Sequence, residues 1–254
     1  MSKLLKNKLA LVTGSSRGIG AAIAIRLAAE GAYVIVNYSA SPERAQKVVD
    51  EITKADGLAE AVHADLGSPE GPKTLIASID KCFGGEFGGR LDILVNNAGT
   101  AEFGPFLESS DQSYDKHFNL NVRSLIELSK DAAKRMAKSG WGRIINIGAS
   151  FGEGAPIPGV TLYIASKFAV HGFTRGLSRE VGSTGVTVNG VQPGPTNTDL
   201  SPEDGPVSDW FKKLTSLGRF GKAEEIAAAV AFLASPESAF INGENLTVDG
   251  GFNA

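Results

Sequence analysis

The sequence predicts an α/β fold: a doubly wound, parallel seven-stranded sheet with helices on both faces. Three observations carry this. Short runs rich in Val, Ile and Leu recur along the chain, each is followed by a longer stretch with helical spacing, and the first run opens into a glycine-rich turn. Parallel neighbours need crossover connections, and the alternation supplies them.

The strand candidates are residues 9–13, 33–37, 58–63, 91–96, 143–147, 187–191 and 245–248. Several are apolar almost throughout, as strands covered on both faces are. Helices are expected at 18–30, 42–55, 69–82, 111–137, 161–181 and 223–234. Ser41-Pro42 and Ser68-Pro69 each read as an N-cap followed by proline in the first turn. A closed eight-stranded barrel is the rival architecture, but the strand candidates number seven and the phosphate-type loop follows the first. The glycine-rich stretch 83–89 is too short for a linker, so residues 1–254 are expected to form a single domain.

Composition excludes several function classes. A hydrophobic content of 42% supports a substantial core, and a net charge of -3 with interleaved signs leaves no basic footprint for nucleic acid. Cys82 is the lone cysteine, so no intrachain disulfide forms, and a reducing compartment is compatible. The N-terminus lacks a signal-peptide core and no apolar run approaches ~20 residues, so a cytoplasmic protein without a membrane span is expected. His63, His117 and His171 lack ligand spacing, so no metal site is expected.

Run 9–13 leads directly into Gly14-Ser15-Ser16-Arg17-Gly18-Ile19-Gly20, which opens a helix. Glycines let the backbone approach a phosphate, and a helix N-terminus offers free N–H groups and positive dipole. The spacing is not the common G-x-G-x-x-G, but the position after strand one is right for a dinucleotide site. At the end of strand two the chain reads Val36-Asn37-Tyr38-Ser39-Ala40-Ser41, with no carboxylate to take a ribose hydroxyl. Arg17, Ser39 and Ser41 can meet a 2′-phosphate instead, which favours NADP(H) over NAD(H).

Tyr163 and Lys167 stand four apart in a helical segment and so share a face. A phenol ionises near pH ~10, and a neighbouring cation lowers that value. Bringing it to about 7 takes roughly 4 kcal/mol of differential stabilisation, and the phenol then becomes a proton donor at neutral pH.

These residues resemble the classical short-chain dehydrogenases/reductases, a Rossmann-like family, from Lys8 to Gly251. The glycine loop is similar to the family's coenzyme loop, and His63-Ala64-Asp65-Leu66 to its adenine segment. Asn96-Asn97-Ala98-Gly99 matches the fourth-strand motif, and Asn121 occupies the catalytic asparagine position. The run from Pro193 and Gly194 through Pro195 and Thr196 to Thr198 looks like the loop that holds the nicotinamide carboxamide. The resemblance implies that Tyr163 is the acid/base, that Lys167 contacts the nicotinamide ribose and lowers the Tyr pKa, and that a serine polarises the carbonyl. Asn121 would help hold a water chain.

Two registers remain open for that serine. Counting from the residue after Gly148 puts Ala149 in the place; counting back from Tyr163 puts Ser150 there, and the second is preferred. Residues 196–214 are expected to form a lid carrying Trp210 and Phe211, with Phe151, Pro156, Ile157 and Pro158 on an apolar wall.

The implied activity is NADPH-dependent hydride transfer between nicotinamide and a carbonyl or secondary alcohol, on a small-molecule substrate. The pattern is similar to 3-oxoacyl-carrier-protein reductases and to small-ketone, polyol and sugar reductases. Lys130, Lys134, Arg135 and Lys138 are either a carrier-protein docking patch or a solvated helix face. The alternatives are a non-catalytic NADP(H)-binding sensor or scaffold, and an epimerase or dehydratase on the same fold. A homotetramer is implied, built through the helices at 111–137 and 161–181 and the C-terminal strand, with small residues such as Ala165, Ala169 and Gly172 recurring in the helices.

Overall fold

A computed structural model describes residues 3–155 and 157–254. One sheet organises them. Its strands are β1 (Leu9–Val12), β2 (Tyr33–Tyr38), β3 (Leu58–His63), β4 (Ile93–Asn96), β5 (Gly142–Ile147), β6 (Val186–Pro193) and β7 (Asn245–Val248). All pair in parallel, in the order β3-β2-β1-β4-β5-β6-β7. The helices are α1 (Gly18–Ala29), α2 (Pro42–Lys54), α3 (Gly71–Phe83), α4 (Asp111–Phe118), α5 (Ser124–Ser139), α6 (Phe151–Gly154), α7 (Thr161–Val181), α8 (Ser208–Leu214) and α9 (Ala223–Ala234).

The unbroken apolar strands follow from two cores that share one sheet. Ala10 and Val12 of β1, Val34 and Val36 of β2, and Ile93 and Val95 of β4 enter a core with Ile23, Leu27, Ile52, Ile226 and Val230 of α1, α2 and α9. The intervening Leu9, Leu11, Ile35 and Leu94 enter a second core with Leu75, Ile79, Leu128 and Met136 of α3 and α5. Successive strand side chains point to opposite faces, so each face needs its own apolar set. Complete burial of each such Leu or Ile is favourable by about 1.5–3 kcal/mol. At the edge, β3 relaxes to a mostly exposed pattern with Glu60 and His63.

Two expectations need correction. The segment 111–137 is not one α-helix: α4 gives way to a π-turn over Asn119–Arg123 before α5 begins. Helix α3 starts at Gly71, later than the Ser68-Pro69 signal suggests. Ser68 is spent in the preceding turn, where Oγ donates to Asp65 O at 2.8 Å. Gly71 then passes so close that a Cβ there would lie 1.8 Å from Asp65 O. Stretch 83–89 is part of the domain, as expected: Phe83 and Phe87 both meet the Tyr33 ring edge-on, at 5.4 and 5.6 Å.

The chain reverses direction across the sheet at β1 and β4. From β1 it winds outward to β2 and β3, then crosses back to β4 on the other side. A crevice opens at the carboxyl ends of such a strand pair, and ligands of open α/β sheets bind there.

Candidate active site

A cavity of about 570 Å³ lies in that crevice. Its phosphate-type end is built by close backbone approach. Gly14 and Gly18 sit at φ +59° and +58°, and a Cβ on Gly14 would come within 2.9 Å of Ala98 Cα. A Cβ on Gly20 would meet both Asn97 Nδ2 and Gly14 O at 2.5 Å. Thr13 Oγ1 accepts from the N–H groups of Asn97 and Ala98 at 2.9 Å, and Asn97 Nδ2 donates to Thr13 O and Gly14 O. The glycine loop is thereby locked to the end of β4. Among the described residues no side chain caps α1, so its first-turn N–H groups remain for an anion.

The neighbouring end is lined by Tyr38, Ser39, Asp65 and Leu66. Asn37 shapes it: Oδ1 accepts from Gly14 N at 3.1 Å, and Nδ2 donates to Val62 O and Ala64 O. Asp65 Oδ1 accepts from Gly67 N at 3.0 Å. Arg17 lies 3.7 Å from Asp199, whose carboxylate also accepts from Arg44 Nη1. That bond to Arg44, with its charge, holds the Asp199 carboxyl below the usual range.

At the other end α7 presents Tyr163 and Lys167 on one face, both on the cavity wall. Lys167 Nζ donates to Ile147 O at 2.9 Å and lies 5.9 Å from the centre of the Tyr163 ring. The expected acidification of the phenol is absent. Burial pushes Tyr163 up to about 12 and pulls Lys167 down to about 8. Loss of hydration disfavours the charged form of each, and at this separation it outweighs the attraction between them.

Asn121 sits inside the π-turn, buried. Its Oδ1 accepts from Thr100 N at 2.8 Å, and Nδ2 donates to Thr100 O at 3.0 Å and Ser166 Oγ at 2.9 Å. Ser166 Oγ in turn donates to Tyr163 O at 2.7 Å. A Cβ on Gly99 would lie 3.2 Å from Asn121 Oδ1 and 3.4 Å from Lys167 Nζ, so three elements converge where that glycine makes room. Asn121 thus braces the wall from behind.

The residues expected to hold the cofactor line this one cavity, including Ser16, Ile19, Pro193, Gly194, Thr196 and Thr198, with the exception of Ser41, which is not on its wall. The serine expectation needs correction. Ala149 is on the wall, whereas Ser150 is not among the lining residues. Ser150 is fully buried, and its Oγ has no hydrogen-bond partner among the described residues. Its backbone is fixed instead: N donates to Pro193 O at 3.0 Å, and O accepts from Asn253 Nδ2 at 2.7 Å.

The outer wall is apolar, with Phe103, Phe151, Val207, Phe211 and Phe220. Phe151 stacks on Phe211 at 5.5 Å, and Phe103 meets the Tyr163 ring edge-on at 5.9 Å. Ile157 packs against this phenylalanine cluster without lining the cavity, Pro158 is exposed, and Pro156 lies outside the described residues. Of the anticipated docking patch, Arg135 is held by Asp80 and Asp131, which binds it into the helix surface.

A family profile described as enoyl-(acyl carrier protein) reductase matches residues 14–253. The chain is 39% identical over 247 residues to the cyclic-di-GMP-binding biofilm dispersal mediator protein of Escherichia coli K12, covering 97% of this chain and 98% of that one. It is 37% identical over 259 residues to a probable tetrahydroxynaphthalene reductase of Zymoseptoria tritici, covering 97% and 94%. A short-chain dehydrogenase from Burkholderia cenocepacia, solved with NADP, superposes with a TM-score of 0.91 at 44% identity over 99% of this chain and 100% of that one. This chain is a short-chain dehydrogenase/reductase.

Sequence reasoning about this short-chain dehydrogenase/reductase missed Asn37, Phe103 and Asp199, all on the cavity wall. Asn37 carries a signal in hindsight, being a polar residue inside an otherwise apolar strand. The others come from separate loops and share no spacing. Among the described residues no helix is long and apolar enough to cross a membrane.

Proposed function

We propose that this short-chain dehydrogenase/reductase is an NADPH-dependent reductase of small carbonyl compounds, with Tyr163 as the acid. The observation that carries this reading is Tyr163 and Lys167 sharing a single cavity with the glycine loop. The residues present fit the dinucleotide. Gly14 and Gly20 leave cradles that a Cβ would fill, the N-terminus of α1 is uncapped, and the end of β2 carries no carboxylate. Arg17 and Ser39 would take the 2′-phosphate, Asp65 and Leu66 the adenine, and Pro193, Gly194, Thr196 and Thr198 the carboxamide.

When bound, the nicotinamide supplies a hydride to the carbonyl carbon and is itself oxidised. The chain's own residues do the rest. As the C=O π pair moves onto oxygen, the Tyr163 hydroxyl gives its proton there. Lys167, held by Ile147, keeps the phenol's surroundings electropositive when protonated. Asn121 fixes Thr100 and, through Ser166, the turn of α7 that carries Tyr163. The apolar wall keeps water away from the reacting carbon, and residues 196–214 serve as its lid.

A second reading is a cofactor-binding protein that does not turn over. Two observations favour it: Ala149 offers no hydroxyl to the site, and the E. coli relative is named for binding cyclic-di-GMP. Purified protein with a ketone panel and either NADPH or NADH separates the readings. Consumption of NADPH that disappears in Tyr163→Phe supports the reductase; consumption untouched by that change removes Tyr163 as the acid. A homotetramer formed through α7 is part of the proposal. Ala165, Phe168 and Gly172 are exposed along one face of that helix, and light scattering gives the mass.

A further inference from the structure

Beside Tyr163 the cavity wall carries Phe103, Ala149, Phe151, Val207 and Phe211, and Thr100, Lys167 and Ser201 add polar groups to the same cavity. The one serine at the end of β5 does not contribute. Ser150 Oγ is buried without a partner behind the wall, and its backbone is tied to Pro193 and Asn253. Ala149 cannot exchange places with it, because Gly148 N donates to Val191 O at 2.8 Å and Ser150 N to Pro193 O at 3.0 Å, which fixes the strand end on both sides. A carbonyl turning into an alkoxide has two lone-pair directions to satisfy, and losing one preorganised donor there costs about 10²–10³ in rate. At the end of β5 it is Ala149, with a methyl group and no hydroxyl, that reaches the cavity wall.

We propose that the substrate supplies that second hydrogen bond itself. This rests on the reductase reading above and narrows it to a chemical class: aromatic or otherwise largely apolar ketones with a hydroxyl placed to donate internally to the reacting oxygen. The apolar character follows from the wall, where Phe151 and Phe211 stack on each other at 5.5 Å and Phe103 stands edge-on to Tyr163. Such a wall offers ring faces and edges that favour an aromatic or largely apolar ligand. The internal hydroxyl donates without transferring its proton; Tyr163 remains the acid.

The test compares 8-hydroxy-1-tetralone with 8-methoxy-1-tetralone. Both oxygens push electron density into the ring, and only the hydroxyl can donate to the ketone. With NADPH the native protein is expected to prefer the hydroxy compound by about tenfold or more in kcat/KM. Ala149→Ser is expected to raise kcat/KM for the methoxy compound by about tenfold and so close the gap; a gain of this kind cannot arise from misfolding. Ser150→Ala is expected to leave both rates within about twofold. A second readout is the infrared carbonyl band of the methoxy ketone bound with NADP⁺, which shifts further to the red in Ala149→Ser and stays in place in Ser150→Ala. Equal use of the two ketones by the native protein, or a loss in Ser150→Ala with Ala149→Ser silent in both readouts, overturns the proposal. If Tyr163→Phe is inactive in that case, the reductase reading stands without it. If Tyr163→Phe still turns over the hydroxy ketone, both fall.

Discussion

Lys167 Nζ and the carbonyl of Ile147 are joined by a 2.9 Å hydrogen bond that ties the middle of α7 to the last residue of β5. The amine is therefore a structural pin before it is a chemical partner for Tyr163, and its protonation is coupled to stability. Lysine loses its proton at 10.5 when free, and burial lowers Lys167 to about 8. Between those values the unfolded chain holds a proton that the folded chain has released, so stability rises with pH.

Urea unfolding tests this at about pH 8 and about pH 9.5. The native protein is expected to gain about 2 kcal/mol relative to Lys167→Met over that interval. Tyr163 acts in the opposite sense. Its hydroxyl is held up to about 12 against an ordinary 10.0, so stability falls as pH rises through that window. Parallel curves for the native protein and Lys167→Met would contradict the buried amine.

Gly20→Ala is expected to damage both fold and cofactor binding. The new methyl would stand 2.5 Å from Asn97 Nδ2 and Gly14 O, neither of which is a flexible end. Relief by backbone movement costs about 1–3 kcal/mol and opens the phosphate cradle. Calorimetry with NADPH should show an affinity loss of about tenfold or more for a 1.4 kcal/mol share of that cost.

Removing the side chain of Asn121 leaves Thr100 N–H and Thr100 C=O without their partner and deprives Ser166 of a donor. Each orphaned buried group costs about 1–3 kcal/mol. Asn121→Ala should unfold at clearly lower urea, and amide exchange at Thr100 should quicken. An unchanged Thr100 protection factor would mean that Asn121 is not the brace.

Asp199 pairs with both Arg17 of the glycine loop and Arg44 of α2. Asp199→Asn frees them for a 2′-phosphate, so NADPH should bind about fivefold tighter with NADH unchanged. The gain should fade at high salt, because all three groups are exposed to solvent. Equal gains for both cofactors would place the phosphate elsewhere.

Much of this molecule is legible before folding, and the reason is local. Residues 161–181 and 223–234 carry their helical period and their ends in the chain itself, and α7 and α9 take those bounds. The glycine loop announces itself because only its own residues make the turn. Ala149 and Ser150 are different: neighbouring positions at a strand end face opposite ways, so a shift of one exchanges wall for interior. Spacing from Tyr163 cannot fix that; the anchors at Pro193 and Asn253 do. Asp199 is likewise invisible, since its partner Arg44 is 155 positions away in the chain.

The π-turn at Asn119–Arg123 carries one residue more than an α-helical turn would hold. Each residue advances an α-helix by about 100°, so this surplus sets the phase of everything in α5. Deleting any one position there would give a smoother rod and a worse protein. Leu125, Leu128, Ala132 and Met136 would rotate together off the sheet, and Asn121 would swing away from Thr100. The irregularity works as a splice between two rotational settings, one serving the cavity and the other the core, and it makes this short stretch intolerant of length change even where its individual side chains can vary.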